Sequence, residues 1–160
     1  MTVNKKYEFV DGDTKTLIDG TVLKRIRALV AIGSLVIQGD LGGYIESDKN
    51  LDVSGDAWVS GNAQVYGNAQ VYGDARVYGD AWVSGDAWVY GNAEIKKTPI
   101  NIIGIDYNIT IYEGLAQVGC KLYKIEEWRK FNPDEIRKMD GEKAILFYPK
   151  LIKIFDSLGI

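Results

Sequence analysis

The chain has 160 residues, 46% of them hydrophobic, with a net charge of −3. That size suits one domain folding alone or with copies of itself, and the acidity argues against a protein built to neutralise nucleic-acid phosphates. There is no histidine and a single cysteine, Cys120, which leaves no internal disulfide and neither a Ser-His nor a Cys-His nucleophile.

In chain order, Lys6 to Val10 alternates as a strand and Asp11-Gly12-Asp13 punctuates it. Lys15 to Ile18 and Thr21 to Ile32 then read as a hairpin around Asp19-Gly20, a pair that favours a type I′ turn. Lys24, Arg25 and Arg27 form a basic cluster, either a solvated strand face or an anion-binding patch. Gly33 to Tyr44 reads as two degenerate six-residue phrases with Leu35, Ile37 and Leu41 inward, so the repeat region is expected to start at residue 33. Ile45 to Asp48 breaks the count and is expected to loop out, after which Leu51 and Val53 resume it.

From Gly55 to Lys96 one phrase recurs seven times: GDAWVS, GNAQVY, GNAQVY, GDARVY, GDAWVS, GDAWVY, GNAEIK. Ala and Val stand two apart, so both point to one face of an extended segment and the residue between them to the other. Gly followed by Asp or Asn accepts the backbone angles of a corner. A chain that turns every six residues and always buries the same small side chains winds into a parallel β-helix. Thr98-Pro99 ends it, because proline donates nothing to a ladder.

From residue 98 to 160 a small α+β module is predicted. Asn101–Ile105, Tyr107–Tyr112 and Leu115–Leu122 read as a meander of three strands, followed by a short helix from Ile125 to Phe131. Asn132-Pro133-Asp134-Glu135 carries the N-cap, proline and Glu of a helix start. That helix is expected to stop at Asp140-Gly141; a last one follows with a stripe of Ile145, Tyr148, Leu151, Ile152, Phe155 and Leu158, interrupted by a kink at Pro149. Of the 19 basic and 22 acidic residues, 8 and 13 precede Lys96, so the repeat half is acidic and the tail mildly basic.

Read from its valine, the phrase resembles the hexapeptide repeat of left-handed β-helix proteins, a class that includes acyltransferases and γ-type carbonic anhydrases. The resemblance implies a left hand, three phrases per coil and stacking of residues eighteen apart. The stretch from Arg25 to Ala69, with GDLGG at Gly39–Gly43 and an acidic IES segment before the GNA and GDA repeats, resembles a family of phage and prophage hexapeptide-repeat proteins. The tail, with its Gly-Cys pair and IEEW helix start, resembles a C-terminal module of similar phage proteins. The related acyltransferases use a histidine as base and the carbonic anhydrases bind zinc through histidines, so a chain without histidine is expected to be no enzyme of either kind and to need no metal or cofactor. The recurring corner Asp and Asn residues read as corner geometry in place of calcium ligands.

The residues between Ala and Val form an outward column, Trp58, Gln64, Gln70, Arg76, Trp82, Trp88 and Glu94. Eighteen-residue stacking sets Arg76 over Trp58, Trp82 over Gln64 and Trp88 over Gln70, while Tyr72 and Tyr90 share an edge. Tryptophans outside a solenoid mark something that covers them. Trp58, Tyr72, Arg76, Trp82, Trp88 and Tyr90 are therefore the candidate binding residues, facing another copy of the chain, the tail module or a foreign partner. The expectation is a phage-encoded binding protein, oligomeric and, as the resemblance to left-handed helices implies, a trimer, that captures a host protein or small ligand to blunt a bacterial defence, with a phage structural component or an acyltransferase-like enzyme as the alternatives. No signal peptide is visible in residues 1 to 13 and no apolar run approaches the roughly 20 residues of a membrane span, so a cytoplasmic location is expected.

Overall fold

The computed structural model describes residues 6–160, which form two compact units dividing between Pro99 and Ile100.

In the first unit, β1 (Tyr7–Thr16) pairs antiparallel with β2 (Val22–Ala28). Asp11-Gly12-Asp13 does not end the first strand. It is absorbed as an irregularity between Phe9 and Thr14, with Gly12 at φ 78°. The hairpin turn is not type I′ either, since Gly20 has a positive φ and Asp19 does not. Leu17 N–H donates to Thr21 O at 2.8 Å and Gly20 N–H to Leu17 O at 3.0 Å, the pattern of a three-residue loop closed by a left-handed glycine.

Strand β3 (Leu41–Ile45) joins this hairpin to the repeats. It runs antiparallel to β2 on one side and parallel to β5 (Gln64–Val65) on the other, through Tyr44↔Gln64 and Ile45↔Val65. The segment from Gly33 is therefore no pair of repeat phrases. Leu35, Ile37 and Leu41 are exposed, and Val36 is buried through its bridge to Ile32.

Each phrase contributes one two-residue strand. Besides β5 these are β4 (Trp58–Val59), β6 (Gln70–Val71), β7 (Arg76–Val77), β8 (Trp82–Val83), β9 (Trp88–Val89) and β10 (Glu94–Ile95). They pair in parallel as β4-β7-β10, β5-β8 and β6-β9, each partner eighteen residues from the next. Three phrases thus separate stacked strands, and the β5-β8 ladder continues the sheet of β1, β2 and β3. From Ala57 to Ile95 the Ala and Val columns are buried, Ala93 being the most exposed at 5%. The corner glycines Gly55 to Gly91 lie at φ 64 to 69°, and at Gly55 a Cβ would stand 2.5 Å from Gly73 O, so the corner excludes a side chain on two grounds.

The count breaks later than expected. Ile45 to Leu51 is the regular step of six, closed by the 3₁₀ turn Asp48–Asn50; Leu51 pairs with Val71 and Val53 is exposed, so the extra residues lie between Leu51 and Val59. The turn is held by Asn50, whose Nδ2 donates to Gly67 O at 3.1 Å and Ala69 O at 2.9 Å.

Ala75 is fully buried in the coil interior. Ala75→Leu should overpack it and lower unfolding stability by about 1–3 kcal/mol in a denaturant melt. A neutral result would place Ala75 outside.

The second unit is an antiparallel meander with helices. Four strands form in place of three: β11 (Ile100–Ile102), β12 (Ile109–Tyr112), β13 (Leu115–Val118) and β14 (Lys121–Lys124). A turn at Gly119-Cys120, with Gly119 at φ 55°, divides the segment read as one strand. Glu113 (φ 45°) and Gly114 (φ 77°) link β12 to β13 with the two positive angles of a type I′ turn. Helix α1 (Ile125–Trp128) is shorter than expected, and α2 (Pro133–Leu158) is capped by Asn132, which accepts from Glu135 N–H at 3.0 Å. Its backbone leaves helical geometry at Asp140 and Gly141, as the Asp-Gly signal indicated, whereas no break occurs at Pro149. Phe147, Leu151 and Phe155 pack with Ile109, Ile111, Ala116, Val118 and Trp128, and Leu158, read into the stripe, is exposed.

Candidate ligand-binding groove

The six candidate residues do not share one surface. Trp58 is buried, with 3% of its surface exposed. Its indole lies edge-on to Tyr7 at 6.4 Å, and a Cβ on Gly42 would approach its Cζ2 to 2.8 Å. The hairpin layer is what covers it, an occupant not foreseen among a second copy, the tail or a foreign partner. Gln64 is buried as well. Arg76 lies over Trp58 in the β4-β7 ladder as expected, but among the described residues its guanidinium does not sit on the indole ring. Instead the Arg76 guanidinium and the Asp56 carboxylate both come within 3.0 Å of where a Cβ on Gly33 would stand.

Trp82 and Trp88 remain half-exposed, on different ladders. Trp82 stacks over Gln64 in the β5-β8 ladder and Trp88 over Gln70 in the β6-β9 ladder. Tyr72 and Tyr90 form the expected pair, their rings stacked at 5.2 Å and 13°. Burial, and secondarily Tyr90, raises the Tyr72 phenol above its ordinary pKa. Beside Tyr72 lies a shallow hollow of about 380 Å³, floored by Leu51, Gln70 and Val71.

The larger concavity sits on the Trp82 side. An open groove of about 660 Å³ runs between the hairpin tip, Lys15 to Asp19, and the coil face of Gln64, Tyr66 and Trp82. Its walls are mostly apolar, and Ile18 at the tip is fully exposed. Gln64 lines the groove, and its Oε1 atom is buried without a hydrogen-bond partner among the described residues. A buried carbonyl oxygen in that state costs about 1–3 kcal/mol, and native structures keep few of them.

The basic cluster closes the near side of the hairpin. Arg25 pairs with Asp13 at 2.9 Å, donates to Gly42 O at 2.8 Å and lies over the Tyr44 ring at 4.6 Å, where Lys15 also sits at 4.2 Å. Arg27 bonds Glu8 at 2.8 Å and Lys24 lies over Phe9 at 5.3 Å. Lys24 and Arg27 are exposed, as a solvated strand face requires, and aromatic rings and carboxylates of the same sheet hold the cluster's charges, which leaves no anion patch.

The corner carboxylates and amides bond from coil to coil, Asp56 N–H to Asp74 Oδ1 at 3.3 Å and Asn68 Nδ2 to Asp86 Oδ1 at 3.1 Å. At the first of these edges burial pulls the Lys6 ammonium below its ordinary pKa, opposed by Asp52, Asp56 and Asp74, and its Nζ donates to Asp52 O at 2.9 Å.

The groove escaped the sequence reading because half of it belongs to the hairpin tip. Only the lone exposed Ile18 beside a turn could have pointed there.

No helix among the described residues is long and apolar enough to cross a membrane. No curated protein matches the chain. Residues 69–85, which hold Tyr72, Arg76 and Trp82, match a family model described as the YdcK beta solenoid repeat, and the mainly β, repeat-built first unit agrees with that description.

Proposed function

We propose that this chain is a non-catalytic binding protein of phage or prophage origin, acting in the host cytoplasm. In this reading the repeats wind left-handed, the chains assemble as a trimer through the face of Trp88 and the Tyr72-Tyr90 stack, and each holds a host protein or small ligand in the Trp82 groove. One observation carries the reading: an apolar groove lined by a half-exposed indole and by Gln64, whose amide oxygen has no hydrogen-bond partner among the described residues. Aromatic anchors supply large rigid contact area and a few placed polar groups set orientation. A partner that lays a flat apolar face on Trp82 and offers a donor to the Gln64 amide, once that amide turns its oxygen into the groove, meets both.

Gln64→Met separates this reading from a structural one. Removing an unpaired buried polar group should stabilise the protein by about 1 kcal/mol, or a melting shift of about +4 to +8 °C for a unit near 100 residues. The same variant, and Trp82→Ala, should lose whatever the parent captures from host lysate in native mass spectrometry. Trp88→Ala should instead lower the oligomer mass. Capture retained by both groove variants, or a parent that captures nothing at micromolar concentration, overturns the groove as the site.

A further inference from the structure

The second unit holds a half-open pocket of about 210 Å³ between its sheet and its helices. Its wall is apolar, made by Val118 of β13, Trp128 of α1, and Ile136, Met139, Ala144 and Phe147 of α2. Drug-sized ligands occupy roughly 300–1,000 Å³, so this space suits something smaller, and a volume of roughly 150 Å³ is enough for a benzene-sized molecule.

The break in α2 leaves Asp140 on the lining beside Tyr107. Tyr107 donates to Asp140 Oδ2 at 2.6 Å, and burial together with that carboxylate pushes its phenol up to about 12. The Tyr148 hydroxyl is committed to Trp128 O at 2.5 Å. Lys143 lies over the Tyr107 ring at 4.4 Å. Lys121 is half-buried on the lining and makes no ion pair or side-chain hydrogen bond among the described residues. On the lining itself Lys121 is, among the described residues, an ammonium without an ion pair, whereas Asp140 is a carboxylate already bonded by Tyr107, so the charge left to be matched calls for an anionic head.

We infer that this cavity binds a small aryl or short-chain monocarboxylate, its apolar body against Trp128 and Phe147 and its carboxylate on Lys121. Aromatic contact supplies the body's affinity, and a charge-assisted hydrogen bond from the ammonium orients the head. The inference stands on a different unit and different residues from the Trp82 groove, so either can fail alone.

The test is a titration of ¹⁵N-labelled full-length protein with 3-phenylpropanoate and, in parallel, the neutral 3-phenylpropan-1-ol. The acid should shift the Trp128 indole N–H, which donates to Ala116 O at 2.8 Å, and should bind about tenfold tighter than the alcohol. Lys121→Met should weaken the acid about tenfold and leave the alcohol unchanged. Ala144→Leu should fill the cavity and remove both; if its spectrum loses dispersion, Val118→Ile serves in its place. Equal binding of acid and alcohol, acid binding that survives Lys121→Met, or no shift of Trp128 at millimolar probe each overturns the inference.

Discussion

Gly42→Ala should lower the stability of the first unit by about 3 kcal/mol or more, a melting decrease of about 12 °C or more at this size. Gly42 has no positive φ, so alanine is not excluded by backbone conformation. The cost is steric: the new methyl would overlap Ile26 Cγ1, stand 2.7 Å from the Val59 carbonyl oxygen and 2.8 Å from Trp58 Cζ2. Gly43 is as crowded, its Cβ falling 2.6 Å from Val59 Cγ1 and 2.7 Å from Ala63 O. Backbone carbonyls do not swing aside as flexible side chains do, and a packed interior transmits the displacement. Gly39→Ala is the comparison, because Gly39 has open space around it and only a φ of 93° to lose, worth roughly 1–2 kcal/mol. If the two variants melt alike, β3 does not lie against the first coil and the covering of Trp58 is wrong.

The same glycine pair shows where sequence reading stopped. A six-residue period carries the strand pairing directly, because identical phrases must bury identical side chains, and every rung from Trp58↔Arg76 to Gln70↔Trp88 follows from it. The period is silent about what lies on the outside. Trp58, Trp82 and Trp88 occupy the same place in their phrases, yet Trp58 is buried by Tyr7 and β3 while the other two are not. That difference comes from contacts across long separations, which no local pattern encodes. Gly42-Gly43 was the available signal, since adjacent glycines in a strand mark a close backbone approach. Leu35 and Ile37 misled for the opposite reason: alternation in a short apolar stretch fits a strand whether or not anything packs against it, and here a bridge from Ile32 to Val36 turns both outward. In the second unit the Asp140-Gly141 stop and the Asn132 cap were legible because each is set by its own residues, whereas the Gly119 turn hid inside a continuous β-prone run.

Phe155→Ala is expected to cost about 3–5 kcal/mol, with the loss confined to the second unit. Phe155 is fully buried, one helical step beyond Leu151 and two beyond Phe147, in the core that α2 shares with Ile109, Ile111, Ala116 and Val118. Truncation removes the largest fully buried side chain of that core, and the walls are strands and helix that cannot collapse into the space. A unit of this size buries too little apolar surface to hold a large reserve, so the loss should consume much of its stability. Hydrogen exchange in the full chain is the measurement: amides of Ile109–Tyr112 and Leu115–Val118 should lose protection by about two to four powers of ten, with those of the solenoid columns as the internal reference. Leu146→Ala on the same helix is the control. That side chain is 71% exposed, so its removal should stay within about 0.5 kcal/mol. Should Phe155→Ala leave the protection of β12 and β13 as it was, or should Leu146→Ala match it, the buried face of α2 has been assigned to the wrong side of the helix.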